Sequence, residues 1–355
     1  MAAAEPSIEQ QSAAQQPTRG RRAELADHPR RRWPATLWLG VGLIVVCELL
    51  LLIDVQQRGV AVLPPLPGQD VASPSNVLGH LARWVALNMT PLCWVGYLLV
   101  MDGVLTCLAR RREGEISRPE SPARSRPRRF IIAVVVSVGV WVFFDWVNFS
   151  YIHAWQYHGV EALSRSHQYI AKFIAFGAIC PAMFLAAQLY QQLGLRRCRT
   201  AGIRLGRPWQ IIMVLLGVPA FVFPFLVRDP IGCVTLWVSV VLLLDPVNHW
   251  LGAPSLIGDW QAGRWGRTAS LMLGGLTCGV LWEFWNYWAA AKWTYTLPFL
   301  GPFEQYKAFE MPLLGFLGFL PFALECWVVL QTILLLMQRM RLPLAEPLPD
   351  ADTLL

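Results

Sequence analysis

Apolar runs of about twenty residues, separated by short polar stretches, dominate the chain, and a helix needs about that length to cross a bilayer. The runs at 35–55, 85–108, 130–151, 170–193, 209–227, 231–252, 269–289 and 311–337 therefore predict eight transmembrane helices. Only Arg228-Asp229-Pro230 separates the fifth from the sixth, which predicts a tight turn. The expected fold class is all-α, a polytopic membrane helical bundle. Residues 1–34 (Ala, Gln, Ser, Pro, Arg) and the 113–128 loop lack the apolar content to fold and are expected to be disordered. The first apolar run follows that polar tail and ends without a small-residue cleavage site. It reads as a retained helix and not as a signal peptide.

Basic residues set the orientation. Arg19, Arg21, Arg22 and Arg30 to Arg32 precede the first helix. Further clusters lie between Arg110 and Arg129, between Arg196 and Arg207, at Arg264 and Arg267, and at Arg339 and Arg341. With eight helices all of these fall on one side. The other side receives Arg58, Arg83, Arg165, Arg228, Lys292 and Lys307, with Lys172 near a helix start. The positive-inside rule then predicts both termini in the cytoplasm of a bacterial inner (plasma) membrane.

Composition narrows the function classes. The 355 residues are 55% hydrophobic and only 15% charged, whereas a soluble protein carries about a quarter charged residues, so a soluble multi-domain enzyme is excluded. The net charge of +7 does not imply nucleic acid, because the arginines sit in short clusters between apolar runs. They suit anionic lipid headgroups instead. The eight cysteines are scattered singly and read as small packing residues.

The sequence also repeats itself. Val142–Tyr157 aligns without a gap to Val280–Tyr295, matching acid, Asn, aromatic, Trp and Tyr in order. Upstream, Trp94–Asp102 aligns with Trp237–Asp245, and downstream Pro181 falls near Pro321. The chain thus divides into a first four-helix repeat (35–193), a basic linker (194–208), a second four-helix repeat (209–337) and a tail (338–355). Four is even, so the two copies are parallel, related by an axis along the membrane normal.

Charged side chains in a bilayer are costly and are functional candidates by default. Asp145 and Glu283 lie at equal depth, roughly 21–23 Å from the cytoplasmic edge. Asn148 and Asn286 stand three residues on, on the same helical face. Trp146, Trp155, Trp282, Trp285, Trp288 and Trp293 crowd the same level, with Tyr157, Tyr287 and Tyr295 close in sequence. One reading has the acids handling a proton, with both Asn orienting them. The other has Asp145 bonded to Asn286 and Glu283 to Asn148, locking the halves together. Asp102 and Asp245, near the cytoplasmic ends, fit helix caps or partners for loop arginines, with Asn248 and His249 beside Asp245. Glu48 and Glu325 sit near mid-membrane without counterparts. Against these six acids the apolar runs hold one lysine, Lys172, so most acids are expected to be protonated or water-exposed. His80, His153, His158 and His167, with Glu161, lie on the outer side. Such groups can hold zinc or iron, but the 153/158 spacing lacks the i, i+4 geometry of a helical metal pair, and no metal is expected. No phosphate loop, nucleophile elbow or dinucleotide fingerprint occurs, and no cofactor is expected.

The order Glu283, Trp293-Thr-Tyr295 and Glu310-Met-Pro312-Leu-Leu resembles the integral-membrane, non-flavin lycopene cyclases of carotenoid synthesis. The likeness covers roughly 60 residues. The first half keeps Asp145 and Trp155-Gln-Tyr157 without the Pro–Glu element, and Glu310 stands alone where that family has adjacent glutamates. The resemblance implies proton-initiated isoprenoid chemistry, with Glu310 among the substrate-contacting groups. The leading expectation is an enzyme, a cyclase or isomerase, acting on an isoprenoid or other lipid. Asp145 and Glu283 would donate and accept the proton, and Trp146, Trp282, Trp285, Tyr157, Tyr287 and Tyr295 would stabilise a carbocation. The alternatives are a proton-coupled carrier or lipid flippase with the acid pair as coupling site, and a non-catalytic scaffold associated with other membrane subunits.

Overall fold

Each of the eight apolar runs folds as a long helix in the computed structural model, which describes residues 33–58, 74–110, 121–342, 344, 346–348 and 354–355. The Arg-rich segment 1–32 and residues 113–120 of the loop expected to be disordered lie outside the described residues. In chain order the helices are α1 (Ala35–Arg58), α2 (Val77–Leu87), α3 (Met89–Arg110), α4 (Pro122–Ser125), α5 (Pro127–Val147), α6 (Arg165–Leu193), α7 (Arg207–Leu226), α8 (Gly232–Trp250), α9 (Leu256–Gln261), α10 (Gly266–Trp288) and α11 (Phe319–Arg339). Two short antiparallel pairs join them, β1 (Trp155–His158) with β2 (Lys292–Tyr295), and β3 (Lys307–Ala308) with β4 (Met311–Pro312).

Three details depart from the sequence expectation. Residues 121–128 are structured: Ser121 is buried, α4 forms one turn, and Pro127 opens α5 at a position where its missing N–H costs nothing. Asn76 caps a separate helix, α2, by accepting from Gly79 N at 2.7 Å, so the second run is preceded by a short helix instead of being extended. Among the described residues, seven helical segments are long and apolar enough to cross a membrane, not eight. α10 has the length but not the apolarity, because it carries Arg267, Glu283 and Asn286 and several hydroxyl and indole side chains, besides Gly274, Gly275 and Gly279. A Cβ at Gly275 would lie 2.2 Å from the Phe319 carbonyl oxygen, and one at Gly279 would lie 2.3 Å from the Phe319 ring. The glycines let α10 press backbone-close against α6 and α11, as small residues do between helices in lipid.

Neighbour relations repeat along the chain. α1 packs on α3, α3 on α6 and α5 on α6; α7 packs on α8, α8 on α11 and α10 on α11. α10 also packs on α6, joining the two sets. α1 and α7 are the most peripheral, presenting residues such as Leu39, Leu49, Leu215 and Leu216 outward.

Polar clusters fasten both ends. At one, Asp102 accepts from Thr36 Oγ1 at 2.9 Å and pairs with Arg124 Nη2 at 2.6 Å, tying α1, α3 and α4. Nearby Arg126 donates to the Leu355 carbonyl, and Arg129 meets Glu346 at 3.5 Å, so the chain's last residues dock against the start of α5. Asp245 accepts the N–H groups of Leu256 and Ile257 at 2.8 and 2.9 Å and so caps α9. These are the pairing and capping roles read for Asp102 and Asp245. At the other end buried Asp54 holds Arg58 and Arg83, each at 2.6 Å, and Arg58 donates to the Trp288 carbonyl.

Candidate functional site

The two aligned segments make the same local structure. In each, a carboxylate near the end of a helix is followed three residues later by Asn, ten later by Trp and twelve later by Tyr. Asn148 Oδ1 accepts from Ala154 N (2.8 Å) and Trp155 N (3.1 Å), while its Nδ2 donates to the Trp155 carbonyl (2.8 Å). Asn286 accepts from Trp293 N and donates to the Trp293 carbonyl, both at 2.8 Å. Each side-chain amide thus copies a neighbouring strand's peptide and turns the chain back beside the helix it has just left. In the first segment the turn also needs a π-helical turn (Asn148–Ile152) and a left-handed His153.

The returning strands bring their aromatic side chains to the acids. Asp145 Oδ1 accepts from Trp155 Nε1 (3.1 Å) and from the Tyr157 hydroxyl (2.9 Å). Glu283 Oε1 accepts from the Tyr295 hydroxyl (2.7 Å), which in turn accepts from Trp293 Nε1 (2.8 Å). The cross-bonds Asp145–Asn286 and Glu283–Asn148 do not form, because each Asn amide is already engaged with its own Trp. The halves meet instead through β1 and β2, with Trp155 opposite Tyr295 and Tyr157 opposite Trp293. Side chains alternate along a strand, so these four aromatics share one face. Burial, with Asp145 or Glu283 alongside, pushes the Tyr157 and Tyr295 phenols well up, so both stay protonated and able to donate at ordinary pH.

That face forms one wall of a cavity of about 120 Å³, against the roughly 10–15 Å³ that one water needs. Trp155, Tyr157, Trp293, Tyr295, Trp282, Trp94, Trp141, Trp237, Phe176, Phe319 and Phe322 line it. Trp141 stacks on Trp155 (centroids 5.9 Å apart) and lies 4.9 Å from Trp282. Trp94 and Trp237, the first residues of the other aligned pair, both reach this lining. The lining holds two cations. Lys172 lies 3.9 Å from Asp145 Oδ2 and 5.0 Å from the Tyr157 ring. Lys292, 1% exposed, is paired with Glu310 and donates to the Tyr287 carbonyl at 3.0 Å.

The other residues singled out in the sequence lie away from this cavity. Trp146 is half exposed and packs on Phe143, Tyr151 and Phe225. Trp285 is buried against Trp94 and Tyr97. Tyr287 packs on Trp288 and Phe309. Glu310 contributes only through Lys292. Of the outer histidines, His158 bonds to Thr294 and His167 to Asn88, and among the described residues no three His, Cys, Asp or Glu side chains gather as metal ligands would. Reading the sequence missed Trp141, Phe176, Phe319 and Phe322 as lining residues; the first two sit in helix interiors and the last two in the first turn of α11, inside apolar runs where an aromatic has no distinguishing neighbour. No protein-family model, curated protein or solved structure matches the chain.

Proposed function

We propose that this membrane protein is an enzyme acting on an isoprenoid or other lipid, with acid-initiated chemistry in the aromatic cavity between two duplicated halves. The observation that carries this reading is the placement of both carboxylates one hydrogen bond behind tyrosines of the cavity wall. Neither acid lines the cavity itself, so a proton reaches it through a phenol. The Tyr295 hydroxyl gives its proton to a ligand double bond and takes one from protonated Glu283, leaving the phenol restored and the carboxylate charged. The reverse transfer returns a proton lost from the cation. Asp145 and Tyr157 form the matching pair in the other half. Indole and phenyl faces on the remaining walls suit a developing carbocation through their π charge. The resemblance of the second half to the non-flavin lycopene cyclases points the same way. In this reading the arginine-rich end faces the cytoplasm of a bacterial inner membrane.

A proton-coupled carrier would need Asp102 and Asp245 as stations on a water path. Both are instead engaged, Asp102 by Arg124 and Thr36 and Asp245 by two backbone N–H groups.

The test is untargeted mass spectrometry of organic extracts from cells with the wild-type gene, no gene, or Glu283→Gln. A lipid or pigment species present with wild type and lost with Glu283→Gln, at equal protein level in the membrane, is the expected result. Identical extracts from cells that hold the precursor would refute the mechanism.

A further inference from the structure

Trp282 is a cavity wall, and its ring is held on several sides. Trp94 meets it at 6.2 Å, Trp141 at 4.9 Å, Trp293 at 5.6 Å and Phe319 at 6.3 Å between centroids. The residue is 7% exposed, yet its indole nitrogen finds no hydrogen-bond partner. The two indoles on the β1–β2 wall do: Trp155 donates to Asp145 and Trp293 to Tyr295. A buried polar group left unpaired is uncommon in a native protein and calls for a reason. An indole N–H is a donor only, so whatever satisfies it must bring an acceptor. Thr90, on the same cavity lining, has a hydroxyl oxygen that is likewise buried and unpartnered.

We propose that the cavity's ligand carries an acceptor oxygen, a carbonyl or hydroxyl on an isoprenoid or lipid skeleton, which the Trp282 N–H recognises with Thr90 as a second polar contact. This rests on the reading of the cavity as a lipid site and narrows its substrate class, since a pure hydrocarbon would leave both groups unpaired. The surrounding aromatic faces supply affinity for the skeleton without direction, and the two polar atoms supply orientation. Trp282 and Tyr295 line the same cavity, so an oxygen held at Trp282 limits which part of the skeleton can face Tyr295.

The experiment compares two probes on the purified full-length protein in detergent by isothermal titration. One is geranylacetone, an isoprenoid ketone; the other is the hydrocarbon of the same skeleton without the carbonyl. Wild type should bind the ketone about five-fold more tightly, the scale of one added hydrogen bond. In Trp282→Phe the preference should vanish while hydrocarbon affinity holds. Equal binding of both probes by wild type, or a preference that survives Trp282→Phe, overturns the proposal and leaves the lipid site standing. Binding of neither probe overturns the lipid site as well. If Trp282→Phe does not fold, the near-isosteric Thr90→Val reads the same contact set: a reduced preference supports the proposal, and an unchanged one opposes it.

Discussion

Asn286 commits both ends of its side-chain amide to the backbone of Trp293, and Asn148 does the same for Trp155. These residues act by positioning. They set the strand that carries the Trp and Tyr, and those in turn meet the acid. Replacing Asn286 by Ala leaves a buried N–H and a buried carbonyl of Trp293 without partners, at a cost of about 2 kcal/mol or more. Thermal unfolding in detergent should show a lower midpoint for Asn286→Ala; an unchanged midpoint would mean that the strand is held by other contacts. The spacing of acid, Asn, Trp and Tyr is readable from sequence because helical periodicity puts acid and Asn on one face. The partner of each Asn is not readable, since it depends on a chain reversal whose path, with the π turn at Asn148 and left-handed His153, has no periodic signal.

At the scale of elements, hydropathy located the eight long helices because lipid contact demands apolar length. It overstated one. α10 is buried among other helices: its polar and indole side chains lower its hydropathy, and its glycines shorten its distance to α11. Gly275→Leu should therefore be costly, since overpacking of a tight contact costs about 1–3 kcal/mol and the nearest atom here is backbone. Gly139→Leu in α5, where a Cβ would meet nothing within 4 Å, is the matched control and should be tolerated. Folded yield and melting temperature of the two variants check this; equal losses would contradict the close packing assigned to α10. The Asp54–Arg58–Arg83 cluster escaped notice for a different reason: Asp54 and Arg58 pair one turn apart within α1, but Arg83 joins them only through the packing of α1 on α2.

The molecule as a whole places the aromatic cavity where its two sets of helices meet. The same neighbour relations recur in each set, and the two Trp-x-Tyr segments face one another on adjacent strands. Sequence comparison of the halves found both aligned pairs that reach the lining, Trp94 with Trp237 and the Trp-x-Tyr motifs. It could not find that the motifs pair with each other, because strands of four residues flanked by turns carry no pattern distinct from an interfacial aromatic belt. That pairing brings both acid–tyrosine units to the same cavity. The most direct measurement is a cysteine cross-link between Gln156 and Thr294, which are directly opposite in register. In membranes carrying Gln156→Cys/Thr294→Cys, with a protease site inserted in the 194–208 linker, oxidation should keep the two halves joined after cleavage, and reduction should part them. Halves that separate under oxidation as readily in the double variant as in either single variant would contradict the account.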